Sequence, residues 1–508
     1  MNIGSLLTRH ARYRGGHNAF VIGEQRLNFH ELNSRVNLAA NALLAAGIRK
    51  GKKMATVLPN CEELMLLYWA AAKTGIVIVP SSPLLQASGL TTLLNDSDTV
   101  IVFADVSFIK MIEKMQDNLP EINKENWILV GEIKESCGFT RWVDFISGVS
   151  DDEPPDANLV NDDVYNIMYS SGTTGAPKGI VHTHYVRANY CTQFASAWRM
   201  SPESVVLHAG AIVFNGAMLD LMPWMYLGAT YILHQTFDPA EVLKTIDQEK
   251  VTHIVMVPSQ IVALLNHPEF DSEKLSSLEM LQSVGAPLLL EYKQKLNESL
   301  PGIFYELYGV TEGFFSILDR DDAVRKIGSV GSVPAFIDIR ILRENGEECG
   351  SNEVGEICGR SAMMMQGYYN RPDLTEKTIV NNWLHSGDLG YMDDDGYLYL
   401  VDRVKDMIIS GGVNVFPKDI EEVIIKHPEV AEVAVFGVPD KRWGETPVAA
   451  VICHADHSVS AETLKVWTNQ RVDAKFQRVK EILILDSFPR NVAGKTLKRE
   501  MRDVYLKS

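Results

Sequence analysis

No stretch of this 508-residue chain is apolar for long enough to cross a membrane. The most apolar segment, LMLLYWAAAKTGIVIVP from 64 to 80, is broken by Lys73 and Gly75, short of the ~20 apolar residues a span needs. It reads as a buried helix running into a strand. The first residues, MNIGSLLTRHARYRGG, lack the apolar core of a secretory leader, and the final VYLKS is not a peroxisomal address. A cytoplasmic protein is therefore expected. Cysteine is sparse: Cys61, Cys137, Cys191, Cys349, Cys358 and Cys453 are scattered without CxxC or CxH spacing. That argues against a disulfide framework or a structural zinc and for reduced thiols. Positive charge is also short, 48 Lys and Arg against 65 Asp and Glu for a net charge of −17, which argues against a general nucleic-acid binder. Internal repeats and low-complexity tracts are missing.

What is present is a chain too long for one ordinary core. The hydrophobic fraction of 46% and the charged fraction of 22% are those of a soluble globular protein. Over the first 400 residues, short apolar strands (MATVLP, IVIVP, TVIVFAD, ATYILH, THIVMVP, EMLQSVG) alternate with helical patterns. HELNSRVNLAANALLAAG at 30–47 and PAEVLKTIDQEK are examples. Such alternation predicts an α/β fold of parallel-rich sheets covered by helices. Residues 151–163 are acidic, contain proline and read as an exposed loop. About 328–402, short strands between Asn-Gly and Asp-Gly turns predict a β-rich subdomain. From Arg403 to the end the pattern is a compact α+β unit with 17 Lys and Arg against 15 Asp and Glu, so the negative charge lies upstream. The expected domains are 1–402 and 403–508.

The most telling segment is YSSGTTGAPKGIVHTH, 169–184, following the strand-like VYNIMYS. Hydroxyls at Ser170, Ser171, Thr173 and Thr174, glycines at 172 and 175, and Lys178 suit a polyphosphate. Glycine lets backbone approach a ligand, hydroxyls donate to anionic oxygens, and lysine adds a compact charge. Gly179 follows the lysine, so this is no Walker A loop. Five further motifs follow in order: GAP at 285–287, YGVTE at 308–312, SGD at 386–388, DRVKDMIISGGVNVFP at 402–417 and PRNVAGKTLKR at 489–499.

These six motifs together resemble the adenylate-forming superfamily of acyl- and aryl-CoA synthetases, stand-alone adenylation domains and beetle luciferases. The resemblance spans the whole chain. It implies a large N-terminal domain, a small mobile C-terminal one, and attack of a carboxylate on the α-phosphate of ATP to give acyl-AMP and pyrophosphate. In that scheme the loop with Gly172, Thr173, Thr174, Gly175 and Lys178 cradles the β- and γ-phosphates. Tyr308 stacks on adenine opposite Gly285, Ala286 and Pro287, within a segment that includes Glu306, Leu307 and Gly309. Thr311 reaches the α-phosphate, and Glu312 is the oxygen ligand for Mg²⁺. Asp388 accepts from the ribose hydroxyls, and Arg403 donates to the same sugar. Lys495 is the catalytic cation, placed for charge that builds only in the transition state. The resemblance further implies rotation about Asp402 to expose a thioester-forming face, where Gly411 and Gly412 line a thiol tunnel.

The segments FQRVK (476–480) and PDKRWGE (439–445) resemble those of halobenzoate-CoA ligases. They imply that Phe476, Arg478, Lys480 and Trp443 receive the CoA nucleotide. Leu84 stands where those ligases carry an arginine, and Phe214 where many relatives carry a histidine, so a halobenzoate substrate is not implied. Phe214, Asn215, Gly216, Met218, Val310 and Phe314 fall in segments that line the acyl pocket of relatives. Their apolar character, without an evident cation, favours a hydrophobic monocarboxylate, fatty or aromatic. The expected activity is an ATP-, Mg²⁺- and CoA-dependent acid–CoA ligase acting on a small carboxylic acid. It needs no nucleic acid and no integral membrane segment, and a homodimer is compatible with it. The rivals are an adenylation enzyme that loads a carrier-protein thiol and a non-catalytic nucleotide-binding protein.

Overall fold

The computed structural model describes residues 2–132, 138–170, 178–403, 406–410, 413–454, 459–472, 474–490 and 496–507. Internal packing divides the chain into two compact units. One is Met1–Asp338 with Gly359–Leu384, the other Ile339–Cys358 with His385–Ser508.

The first unit is built on two eight-stranded sheets. In one, Phe304–Gly309, Met280–Val284, His253–Met256, Val205–His208, Thr230–Leu233 and Asn18–Ile22 run parallel, and an antiparallel strand closes each edge. In the other, Val77–Pro80, Lys53–Val57, Thr99–Asp105 and Trp127–Val130 form the parallel body. Val164–Ser170 extends it in parallel, then turns back antiparallel into Lys178–Thr183, so Ser170 lies opposite Lys178. The short strand Gly367–Tyr368 pairs with Val181 and Ile180 beyond.

The strand–helix alternation of the sequence therefore becomes parallel β-sheet under helices, for identifiable local reasons. Asn28 and Glu31 form a reciprocal capping box that starts the helix Phe29–Ala45, a device worth about 1 kcal/mol. Gly75, at φ +72°, stops the helix Glu62–Thr74, a left-handed residue only glycine adopts cheaply. That helix is buried almost all round, Trp69 and Tyr68 included, as expected of a helix lacking a polar face. The acidic stretch 151–163 is without regular structure, yet it is anchored. Buried Lys73 donates to Asn33, Asn37 and Glu153, each at 2.7 Å.

The second unit contains the antiparallel strands Trp383–Met392 and Leu398–Arg403, with Asp388 opposite Arg403. Its C-terminal sheet pairs Val430–Asp440 with Gly444–Cys453 and adds Glu481–Ile484 in parallel. The helices Pro417–Ile424 and Ala461–Asn469 bury Ile420, Ile424 and Leu464 in the core of that α+β unit. Among the described cysteines none is paired.

Candidate active site

On the first unit, two predicted nucleotide segments come together around Tyr368. The Tyr368 hydroxyl donates to Glu312 Oε1 at 2.7 Å, and Lys178 Nζ stands 5.3 Å over the same ring. The phosphate-loop lysine and the metal-type carboxylate thus share one aromatic residue. Burial first, then the Glu312 carboxylate, push the Tyr368 phenol far above its ordinary value, so it stays a donor. The turn holding Glu312 is fixed by backbone. Met365 N–H donates to the Glu312 carbonyl at 2.7 Å, and Gly313, at φ +144°, lets Met364 backbone pass where a Cβ would sit. Glu312 Oε2 has no partner among the described residues, so this hard oxygen donor fits a Mg²⁺ ion.

Tyr308 is the penultimate residue of the strand Phe304–Gly309, half-buried and opposite Ser316. Glu306, two residues earlier, is buried and paired with Lys293. Its Oε1 also faces Leu288 N–H at 3.4 Å, just past the exposed Gly285–Ala286–Pro287 turn. The side chain of Glu306 is thereby committed to holding that turn. Gly285 itself has φ +91°.

On the second unit, Arg403 Nε donates to Asp388 Oδ1 at 3.0 Å across the strand pair. The two residues expected at one sugar are therefore neighbours. The turn before Asp388 is held by a residue the sequence did not single out, Glu356. It accepts from Gly387 N–H at 3.0 Å and bonds His385 Nδ1 at 2.8 Å. Asp402 is mostly enclosed; it accepts from the backbone N–H of Arg403 at 2.7 Å and of Lys418 at 3.2 Å. Burial, opposed by Lys498, lifts its carboxyl above the usual range.

At the expected CoA site, Trp443 is exposed at the turn between the two long strands, and Arg442 stacks on it. Lys480 is exposed and lies 3.8 Å from Asp440, whose carboxylate also accepts from Arg442 and Trp443 N–H. Arg478 is exposed. Phe476, expected as a stacking face, is half-buried and packs in part against the core of this unit.

The acyl segment is divided. Phe214, Asn215, Gly216 and Val310 are half-buried, and the space beside Gly216 is open. Met218 and Phe314 are wholly buried, Phe314 flat on Gly359. The expectation of no cation in this region is corrected by Arg187, which lies behind it and donates to Asn215 Oδ1 at 2.9 Å. Local pattern does not mark this arginine, because HTHYVR reads as an ordinary helix start. Ser171, Gly172, Thr173, Thr174, Gly175, Gly411, Gly412 and Lys495, with the Ser170 side chain, lie outside the described residues.

The sequence matches the family model described as AMP-binding enzyme over residues 7–369. It matches the AMP-binding enzyme C-terminal domain over 419–495. The chain belongs to the AMP-binding enzyme family. It is similar to a feruloyl-CoA synthase from an Amycolatopsis species, 34% identical over 98% of both chains. It is also similar to a long-chain-fatty-acid–CoA ligase of Mycobacterium tuberculosis, 33% identical over 99% of this chain and 98% of that one. Among solved structures, ATP-bound MatB from Rhodopseudomonas palustris superimposes with TM-score 0.89 at 26% identity, covering 99% of each chain. The o-succinylbenzoate CoA synthetase of Bacillus subtilis, holding its acyl-adenylate, superimposes with TM-score 0.86 at 28% identity over 98% of each.

As an AMP-binding enzyme of this acyl/aryl-CoA synthetase type, the chain uses ATP to join an acid to a thiol through acyl-AMP. The strand–helix body is the one the sequence alternation predicted, and the smaller C-terminal fold is the one the resemblance implied. No helix among the described residues is long and apolar enough to cross a membrane.

Proposed function

We propose that this protein is a cytoplasmic, Mg²⁺-dependent acid–CoA ligase for a hydrophobic monocarboxylic acid, fatty or aromatic. In the first step a carboxylate oxygen attacks the α-phosphorus of ATP and pyrophosphate leaves. Lys178 and the hydroxyls of the glycine-rich loop hold the leaving phosphates, Glu312 holds Mg²⁺, and Lys495 meets the charge that builds on the α-phosphate. In the second step the thiolate of CoA attacks the acyl carbonyl and AMP leaves. Asp402 is the hinge between the two arrangements, with Gly411 and Gly412 beside the thiol. Trp443, Arg478 and Lys480 receive the CoA nucleotide. Phe476, half-buried beside them, offers the remaining face of its ring to the adenine.

The observation that carries this reading is the meeting of Lys178 and Glu312 on Tyr368, because an isolated phosphate loop has no need of a metal-type carboxylate at that place. Support for the acid class comes from the apolar acyl segment and from relatives named for feruloyl and long-chain fatty acyl groups. The test is acid-dependent pyrophosphate release from Mg²⁺-ATP, over short, medium and long fatty acids and substituted cinnamates and benzoates. CoA is then added to measure thioester. A panel that yields no acid-dependent pyrophosphate defeats the proposal. Pyrophosphate without CoA-dependent turnover assigns the thiol to a carrier protein instead.

A further inference from the structure

Arg187 is the only buried arginine among the described residues, and it is buried completely. Its neighbours are all neutral. Nε donates to Asn166 Oδ1 at 2.9 Å, Nη2 donates to Asn215 Oδ1 at 2.9 Å and meets His182 Nδ1 at 3.1 Å, and the guanidinium lies 4.6 Å over the Tyr190 ring. The groups that offset its charge are tyrosines, not carboxylates, and Nη1 has no hydrogen-bond partner among the described residues. Burying an ion without a counter-ion is costly, and a neutral side chain of the same volume would pack more cheaply. The fold keeps an expensive group here, so its bonding pattern is the place to look for a reason.

That pattern joins two segments. Asn215 belongs to the Phe214–Ala217 stretch at the acyl side. His182 Nε2 bonds the Thr311 carbonyl at 2.9 Å, in the turn expected at the α-phosphate. Arg187 has only donors, so His182 Nδ1 must accept from it. The imidazole is then neutral, with its proton on Nε2, the tautomer that donates to Thr311. Burial, aided by the Arg187 charge, also keeps His182 unprotonated. Lysine could supply the charge but not two fixed donors on one planar fork.

We infer that Arg187 is a positioning residue that couples the acyl-binding segment to the α-phosphate turn through a buried relay, Asn215–Arg187–His182–Thr311. Acid bound against the Asn215 segment thereby orders the turn that must hold ATP in line for attack. The inference rests on the nucleotide site proposed above.

The test uses α,β-methylene-ATP, which cannot release pyrophosphate, and needs no knowledge of the acid. Wild type, Asn215→Ala, Arg187→Lys and the double variant are titrated with the analogue and Mg²⁺. The relay predicts that Asn215→Ala, on the acyl side, weakens the analogue about 5-fold or more, the scale of ordinary coupling between sites. Arg187→Lys does the same, and the double variant is no weaker than the worse single one. In ¹⁵N-histidine-labelled protein, the His182 signal (assigned by its loss in His182→Gln) reports the Nε2–H tautomer in wild type and a mixture in Arg187→Lys. Wild-type affinity in Asn215→Ala, additive losses in the double variant, or an unmoved His182 signal each overturn the relay. If Arg187→Lys does not fold, Asn215→Ala alone decides, since it keeps Arg187 in place. Failure of wild type to bind the analogue would instead defeat the nucleotide reading, and the relay with it.

Discussion

Replacing Tyr368 by phenylalanine removes one hydroxyl and leaves the ring under Lys178 in place. The lost interaction is the 2.7 Å hydrogen bond to Glu312 Oε1. A hydrogen bond to a charged group contributes roughly 1.5–3 kcal/mol net, and each 1.4 kcal/mol is about tenfold in a binding constant. Partners that orient a metal-binding carboxylate cost about 10–100-fold in metal affinity when removed, so the two routes agree. Tyr368→Phe is expected to raise the Mg²⁺ concentration for half-maximal pyrophosphate release by roughly 10–100-fold. The KM for CoA should stay unchanged, because the proposal gives the CoA nucleotide to Trp443, Arg478 and Lys480 and not to Tyr368. The assay is initial pyrophosphate release against Mg²⁺ at fixed ATP and acid, with the melting shift induced by Mg²⁺-ATP as a second readout. An unchanged Mg²⁺ requirement in folded protein would refute the reasoning. It would mean that the backbone bond from Met365 is enough to aim Glu312.

Lys495→Ala should lower acyl-AMP formation on the order of 10²–10³-fold and spare thioester formation from supplied acyl-AMP; equal loss in both half-reactions contradicts a two-arrangement cycle. Arg478→Ala with Lys480→Ala should raise the KM for CoA on the order of tenfold without changing pyrophosphate release in its absence; unaltered CoA saturation removes these residues from the site. His184 is wholly buried, and neither ring nitrogen has a hydrogen-bond partner among the described residues. Burial holds its pKa at about 4 against an ordinary 6.5. The unfolded chain therefore takes up a proton first, so stability is full above pH 6.5 and falls as pH drops toward 4. The loss is about 3 kcal/mol at 1.4 kcal/mol per unit. The stability difference between wild type and His184→Phe, read from urea midpoints, should shift in favour of the variant by about 3 kcal/mol between pH 7 and pH 4; parallel curves rule this out.

Legibility in the sequence followed the range of the forces involved. TVIVFAD and THIVMVP are continuous apolar runs, and only a strand buried on both faces needs one, so the parallel sheets could be read directly. Phosphate chemistry was legible too, because hydroxyls, glycines and Lys178 are crowded into one short stretch. Tyr368 was not, since its meaning lies in a bond to Glu312, 56 residues earlier, and a Gly-Tyr pair carries no pattern of its own. Glu356 was missed for the same reason, its partners His385 and Gly387 standing on another strand. Phe476 shows where composition stops: an aromatic beside two cations matches a nucleotide platform, while its partial packing against the core of the second unit depends on residues far along the chain.

Lys73 carries a consequence for the pathway by which the chain reaches this fold. Its three acceptors are 36, 40 and 80 residues away. A lysine head stripped of water is tolerable only when all three are in place. Closing such long loops costs entropy before any bond repays it, so this knot tightens late, after the helices around it have docked. Interactions absent from the transition state govern how fast a protein comes apart rather than how fast it assembles. The strap from Glu153 to Lys73 thus acts as a latch on unfolding, lengthening the native lifetime of the large unit while leaving its speed of formation nearly untouched.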